Sequence, residues 1–436
     1  MDQNGINVAA LIGTPGLSVF GTAAKVPYRG HVLSADGSRL FAVFNNTFYE
    51  ISSGGTFTSR GTMTSTSGRC SLSASPLQIM ISDGASKGYL FTLATNAFAA
   101  IGSGAPTSDF NDYIDTYFVA NVKGTFGWQI SNPSDGATWD ASKITSAEGK
   151  PDPIVCLKTM AQKVFTFGSV SIEQYYDSGN ALFPFDRISG ALIEFGVVAP
   201  WSTYQIENEF FFLGQNNEGT GVFRCDGNAC TRISPPWLDF LIKDYSDTAS
   251  ATAFSYTQET HRFYVLTFPT SLVTWVYDVA TGLWHQRQTY GSGRWIADGH
   301  VFYQNNHYVF DYASGNVYLM SDSVYTDNGT QIQRIRAGKT IIGEDFERIT
   351  HDKFDLWLEP GVDNSACAAP KAMLRYSDDG GYTWGNERWQ AMQLRGDYAG
   401  RCRWARNGQA RNRVYEVTIT DPVRVAIIAA VINAAD

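Results

Sequence analysis

The sequence predicts an all-β protein: a β-propeller-like body of six to eight degenerate blades, followed by a C-terminal β-sandwich-like module. Three observations predict it. Aromatic residues make up 14% of the 436 residues and charged residues only 17%, while Gly (41) far outnumbers Pro (15). That balance favours strands joined by tight turns and opposes disorder. Hairpin signatures recur at a blade-like interval up to about residue 330 and then stop. The charge changes at the same place. Residues 331–436 carry 15 Lys+Arg against 14 Asp+Glu, a net of +1, whereas 1–330 carry 18 against 28, a net of −10. Rhythm and charge together divide the chain into a body, 1–330, and a module, 331–436.

In chain order, each body repeat is an apolar-aromatic strand, a bend of three to five residues containing Asp, Asn, Ser, Thr or Gly, and another strand. Copies stand at 47–54, 90–96, 222–227, 276–284 and 309–315, with weaker ones near Trp128 and Tyr175. Ser-Gly, Thr-Gly and Asp-Gly at the bends supply the positive φ that hairpin turns require. Aligned on the aromatic, the copies sit at Phe48, Phe91, Trp128, Tyr175, Phe223, Tyr277 and Phe310, a mean step of about 44 residues. That step matches the blade length of propeller repeats. Apolar runs at 40–43, 163–167, 210–213 and 263–266 lie just upstream of their aromatics. Being apolar on both faces, they suit inner strands packed between neighbouring blades. A short helix is expected near Leu241-Ile242-Lys243, after Pro235-Pro236.

The module shows six strand candidates without that period, at 354–359, 372–376, 388–393, 401–405, 413–420 and 424–432. They predict a small sandwich. The apolar stretch 425–432 is too short for a membrane span, which needs roughly 18 residues, and reads as a buried strand. Met1-Asp2-Gln3-Asn4 lacks the basic start and apolar core of a signal peptide, so neither export nor a membrane anchor is expected.

No motif carries chemistry. Ser377, Asp379, Gly381, Thr383 and Trp384 fit the Asp-box pattern S-x-D-x-G-x-T-W, and 132–139 is a degenerate cousin. Such a box braces a hairpin: the carboxylate accepts turn amides, Gly permits the bend and Trp packs beneath. Gly84-Ala85-Ser86-Lys87-Gly88 has nucleophile-elbow spacing, but a strand rather than the required helix follows, so a hairpin turn is expected. Gly338-Lys339-Thr340 is half a phosphate loop whose first glycine is replaced by Gln333. The six histidines show no metal-ligand spacing, and His300 and His307 are expected to flank a strand turn. Cys225 and Cys230 flank the turn 226–229 and are expected to pack across it. The scattered remaining cysteines read as buried thiols. No catalytic, cofactor-binding or metal residue is expected, and the protein reads as a non-enzyme.

The most distinctive stretch is basic: Arg401, Arg403, Arg406, Arg411 and Arg413, flanked by Arg395 and Arg424. In a strand, Arg401 and Arg403 share one face and Cys402 and Trp404 the other. Nearby Asp397, Glu416 and Asp421 dilute the field, so a protein partner is expected rather than DNA.

Four stretches, in their order, resemble one family. They are 116–131, 162–176, 372–384, and 401–414 continuing to 419–423. The chain resembles the packaged-DNA stabilisation proteins of short-tailed phages, their tail hub or nozzle, over about residues 14–432. That resemblance implies a virion tail component assembled in the host cytoplasm as a ring of six copies below the portal and its adaptor. It implies anchorage of spikes, fibres or a needle, and retention of packaged DNA followed by its ejection. The DNA would pass the lumen without sequence recognition, with no cofactor, and an acidic body suits such a conduit because like charges let the duplex slide. The alternative is a carbohydrate-binding or glycan-cleaving, sialidase-like propeller of a phage tail. It needs an arginine cluster on inner strands, whereas the arginines are expected to gather outside the propeller.

Overall fold

The computed structural model describes residues 10–398 and 400–435; the chain start at Met1–Asn4 lies outside the described residues. Two compact units form: Val19–Leu319, and the residues up to Ser18 together with those from Met320.

In the first unit, antiparallel sheets follow one another as seven blades. From innermost to outermost strand, blade 1 is Tyr28–Leu33, Leu40–Phe44, Thr47–Ile51 and Phe57–Thr62. Blade 2 is Ser71–Ala74, Gln78–Ser82, Tyr89–Thr92 and Ala97–Ala100, and blade 3 is Asn111–Ile114, Tyr117–Asn121, Gly127–Asn132 and Asp135–Ser146. Blade 4 is Ile154–Met160, Lys163–Gly168, Ile172–Asp177 and Phe185–Arg187. In blade 5, Gly196–Val197 and Tyr204–Ile206 both pair with Glu209–Asn216, followed by Gly219–Cys225 and Cys230–Arg232. Blade 6 is Thr252–Gln258, His261–Phe268, Val273–Asp278 and Leu283–Gln286. Blade 7 has Ala297–Tyr303, Asn306–Asp311 and Asn316–Ser321, and its fourth strand is Gly16–Thr22 from the early part of the chain. This borrowed strand closes the ring. Phe20 meets Tyr308 at 4.3 Å, the Ala23 amide donates to Gly315 at 2.7 Å, and Thr22 Oγ1 donates to Asn316 at 2.7 Å. Each innermost strand touches the next, with the 3-10 turn Pro200–Ser202 standing in at blade 5, until Ala297–Tyr303 returns to Tyr28–Leu33.

Strand alternation builds the core between blades. Leu40, Ala42 and Phe44 face blade 7, beside Val301 and Phe310, while Phe41 and Val43 face blade 2, beside Ile79 and Phe91. Met80 and Leu90 then meet Phe118 and Ala120, and Phe211 and Leu213 meet Tyr264 and Leu266. Every residue of Leu40–Phe44 is therefore buried. The four doubly apolar runs are the second strands of blades 1, 4, 5 and 6. The innermost strands of blades 2 and 3, Ser71–Ala74 and Asn111–Ile114, are shorter and more polar than the strands that follow them.

Six of the seven aromatic markers, Phe48 to Tyr277, lie on the third strand of successive blades; Phe310 lies on the second strand of blade 7. The slip has a chemical cause. Asp278 accepts from the Ala280 amide at 3.0 Å and Thr281 Oγ1 at 2.7 Å, and Asp311 accepts from the Ala313 amide at 2.8 Å and Ser314 Oγ at 2.5 Å. One turn chemistry thus serves the third hairpin of blade 6, with Gly282 at φ 71, and the second hairpin of blade 7. The helix near residue 241 is Pro236–Lys243, which buries Leu238 and Ile242.

In the second unit two sheets form the sandwich. One orders Leu11–Ile12, Ala426–Ala435, Ile349–Leu358 and Cys402–Ala405; the other orders Arg334–Ala337, Asn412–Ile419, Lys371–Ser377 and Arg388–Ala391. Phe354, Leu356, Leu374, Trp404, Tyr415, Val417 and Ile419 fill the space between them. All six strand candidates are strands; the sequence reading omitted Arg334–Ala337 and the short Ile341–Ile342, Gln409–Ala410 and Leu11–Ile12.

Candidate interface and the axis of the propeller

A propeller carries function on its axis, on its rims, or on appended modules. The axis is filled. Arg69, just before the innermost strand of blade 2, forms an ion pair with Asp298 of blade 7. Asp298 also pairs with Arg294 at 3.0 Å and accepts from Thr252 of blade 6 at 3.2 Å. Trp201 of blade 5 lies 4.5 Å from Phe110 at the entrance to blade 3, and the Arg69 guanidinium stands 6.0 Å from the Trp201 ring. Blades 2 and 7, 3 and 5, and 2 and 5 are not neighbours, so these contacts run through the axial space. The two cations and one anion are mostly buried, which favours their pairing over hydration of each alone.

The strip Arg401–Arg413 lies on the sandwich, and the propeller holds further arginines near its axis, Arg29, Arg69 and Arg294. Arg29, 1% exposed, is satisfied locally. It donates to the carbonyls of Gly68 at 2.5 Å, Asn45 and Ser65 at 2.8 Å and Ser67 at 2.7 Å, and to Ser65 Oγ at 3.0 Å. Such charge-assisted bonds offset the burial of the cation. Each of the three sits at or just before the start of an innermost strand, in the adjacent blades 7, 1 and 2. Aligning the sequence on those strands, not on the aromatic hairpins, would have shown them.

On the sandwich, the five candidate arginines divide. Cys402 and Trp404 point inward, as alternation requires, while Arg401 and Arg403 lie outward and clamp one carboxylate. Arg401 Nε is 2.9 Å from Asp355 Oδ2, and Arg403 donates through Nε at 2.6 Å and Nη2 at 2.7 Å. The Arg403 guanidinium is the main reason the Asp355 carboxyl is held below the usual carboxylate range. Half-exposed Val431 stands opposite Asp355 on the next strand, and Trp357, 40% exposed, lies two residues along on the same face. The outcome is a patch with one net positive charge and an apolar border. Arg406 sits in the following turn at φ 58, its amide donating to Asp352 at 2.9 Å, and Arg411 reaches the Phe346 carbonyl at 3.0 Å. Arg413 turns the other way and is 2% exposed. Its guanidinium grips Asp378 at 2.6 and 2.7 Å, donates to the Asn407 carbonyl, and lies 4.0 Å over the Tyr376 ring.

Asp378 belongs to the Asp-box turn, between Lys371–Ser377 and Arg388–Ala391. Ser377, 1% exposed, donates through Oγ to Asp379 at 2.6 Å and accepts from the Gly381 amide at 2.8 Å. Asp379 accepts from the Thr383 amide at 2.9 Å and from Thr383 Oγ1 at 2.5 Å. These bonds, first that from Ser377, hold the Asp379 carboxyl far below its ordinary value. Gly380 and Gly381 have φ 81 and 101, and Trp384 lies under the Arg375 guanidinium at 4.8 Å. The polar groups of the box are turned on the turn itself. At the cousin motif, Asp135 accepts from the Ala137 amide at 2.9 Å and buried Trp139 donates to Gly136 at 2.8 Å.

The nucleophile-elbow spacing is a hairpin between Gln78–Ser82 and Tyr89–Thr92, where Ser86 Oγ donates to Asp83 at 2.9 Å. His300 and His307 stand on the two strands of one hairpin with ring nitrogens 2.9 Å apart. Cys225 stands directly across from Cys230. A cavity of about 170 Å³ in blade 4 is lined by Glu173, Gln174, Arg187 and Leu192, with Glu173 taken up by the Gly149 amide at 2.7 Å and Arg187 at 3.4 Å.

Residues 1–325 match a family model described as bacteriophage P22 Gp10, beta-propeller, and residues 335–435 match one described as bacteriophage P22 Gp10, beta-sandwich. No curated protein matches. Among solved structures, the beta-propeller domain of Myceliophteria thermophila Cps50 (Swd1) is 9% identical at a TM-score of 0.45, over 70% of this chain and 99% of that one. The N-terminal domain of Nup159 is 9% identical at 0.44, over 71% and 95%. The computationally designed Ika8 protein is 12% identical at 0.40, over 71% and 97%.

Proposed function

The chain belongs to the phage-stabilisation family of bacteriophage P22 Gp10 and is a structural protein of a phage tail, and we propose that it forms the tail's hub, a ring of copies around a DNA conduit. The observation that carries this reading is that the family match extends over both the propeller and the sandwich. In it, the ring holds six copies below the portal and adaptor, retains packaged DNA, passes it during ejection and anchors spikes, fibres or a needle. The conduit lies between copies, because the axis of each propeller is occupied by Arg69, Trp201 and Asp298. A net of −10 over residues 1–330 supports a wall along which a duplex slides without sticking.

The face around Arg401 and Arg403 is the proposed contact with a neighbouring copy or tail partner. Its mixture of arginine, Trp357 and Val431 has the composition of a protein interface, and Asp355 already neutralises half of its positive charge. Arg413 is assigned to the fold of the sandwich instead. The glycan-cleaving alternative is weakened because the axial arginines are paired and the Asp box is satisfied within its own turn.

The test is the double charge reversal Arg401→Glu with Arg403→Glu. Particle assembly should fall, while DNA binding by the wild type should be weak at two salt concentrations, since salt screens the patch within about 8 Å. Tight, steeply salt-dependent DNA binding that vanishes in the double variant would replace the passive conduit with a DNA-gripping protein.

A further inference from the structure

The outer edge of blade 5 holds two sulfurs that the structural role does not use. Cys225 ends the strand Gly219–Cys225, Cys230 begins Cys230–Arg232, and the two are paired across the ladder. Paired residues of an antiparallel ladder project to the same face. The next pair inward to the turn, Asp226 and Ala229, is hydrogen-bonded, with the Asp226 amide donating to Ala229 at 3.3 Å. Hydrogen-bonded and non-hydrogen-bonded pairs alternate, which makes Cys225 and Cys230 a non-hydrogen-bonded pair, for which the Cα atoms are about 4.5 Å apart. Disulfides span Cα separations of about 4.4–6.8 Å. That spacing falls within the range a disulfide spans.

The turn between them is held in place. Asp226 accepts from the amides of Asn228 at 2.7 Å and Ala229 at 2.9 Å, and Gln174 of blade 4 donates to the Gly227 carbonyl. Cys225 is 2% exposed and Cys230 is half-buried, so a small oxidant has one open side. The other thiols differ: burial pushes Cys70 up to about 12 and Cys156 and Cys402 up to about 11. Cys225 alone among the shifted cysteines is held below the ordinary value, first by the hydrogen bond from Cys230, while the same contact, followed by burial, pushes the Cys230 thiol up.

We propose that Cys225 and Cys230 are a built-in oxidation site that hydrogen peroxide closes into a cross-strand disulfide, stapling the outermost strand of blade 5. The electrons balance in two steps. The Cys225 thiolate attacks one peroxide oxygen and breaks the O–O bond; a sulfenic acid forms, and the leaving hydroxide takes a proton to become water. The Cys230 sulfur then attacks Cys225 Sγ and expels the sulfenic hydroxyl, which leaves as the second water with the Cys230 proton. Two thiols are oxidised and one peroxide is reduced to two waters. The staple holds a strand of only three residues, immediately before the segment that leads to the helix Pro236–Lys243.

The test treats the full chain with stoichiometric hydrogen peroxide, then alkylates free thiols and maps tryptic peptides without reduction. Cleavage after Arg224 and Arg232 places both sulfurs in one peptide, 225–232. The expected product is that peptide lighter by two hydrogens, unalkylated, and restored by reduction, while the peptides carrying Cys70, Cys156 and Cys402 remain alkylated. In Cys230→Ser the sulfenic acid on Cys225 has no partner and should be trapped by dimedone. Alkylation of both Cys225 and Cys230 after peroxide, or oxygen added to them without loss of two hydrogens, overturns the proposal.

Discussion

Arg413→Met separates an arginine that builds the sandwich from arginines that face a partner. Arg413 is 2% exposed and makes two short bonds to Asp378, one to the Asn407 carbonyl and a stacking contact with Tyr376. Breaking a buried pair costs about 3–5 kcal/mol. The Asp378 side chain is 45% exposed, so a carboxylate left behind regains water, and the expected loss for Arg413→Met is about 2–3 kcal/mol. Asp378→Ala strands the buried guanidinium instead and should cost more, about 3–4 kcal/mol. The double variant should cost less than the two losses added, because both remove one interaction. Arg403→Ala, on the exposed face, should leave stability near that of the wild type. The assay is denaturant titration of the full chain, with hydrogen exchange of Lys371–Ser377 and Asn412–Ile419 as the local readout. Unchanged stability and exchange in Arg413→Met, accompanied by loss of assembly, would refute the assignment and return Arg413 to the interface.

Two further outcomes are expected. Asp379→Ala should lower the melting temperature and speed hydrogen exchange in the turn 378–384 while sparing assembly; a stable variant that loses ligand binding would make the box a site. Acid should destabilise the propeller before its carboxylates titrate. Burial, with the neighbouring His307 and His31, pushes His300 from 6.5 down to about 3, so the unfolded chain binds a proton that the folded chain refuses. Stability attributable to His300 is therefore full above about pH 6.5 and falls toward pH 3, by about 2 kcal/mol at pH 5. His300→Gln should flatten the dependence between pH 6.5 and 5; an unaltered slope in that variant would sink the explanation.

Much of the fold was legible because propeller hairpins repeat in chemistry as well as in position. Phe48, Phe91, Trp128, Tyr175, Phe223 and Tyr277 mark the same strand of successive blades, since each must be covered by its neighbours. Phe310 misled because the Asp-Ala-Ser-Gly bend specifies a turn and not which turn of the blade. Blade number was not legible as one value because the closing strand, Gly16–Thr22, lies almost 300 residues from its neighbours in blade 7, and no local pattern announces that pairing. The arginine strip was legible as a strand with alternating faces at 401–404. Its division at Arg413 was not: nothing local in the sequence says that Asp378 waits across the sheet, although Asp378 lies inside the motif already singled out.

The central claim is that copies of this chain, not the axis of one propeller, enclose the conduit. Low-resolution imaging of the purified assembly, with its mass in solution, tests it most directly. Closed rings of six copies around a central lumen wide enough for duplex DNA are expected. Monomers or trimeric fibres throughout, with no ring, would contradict it.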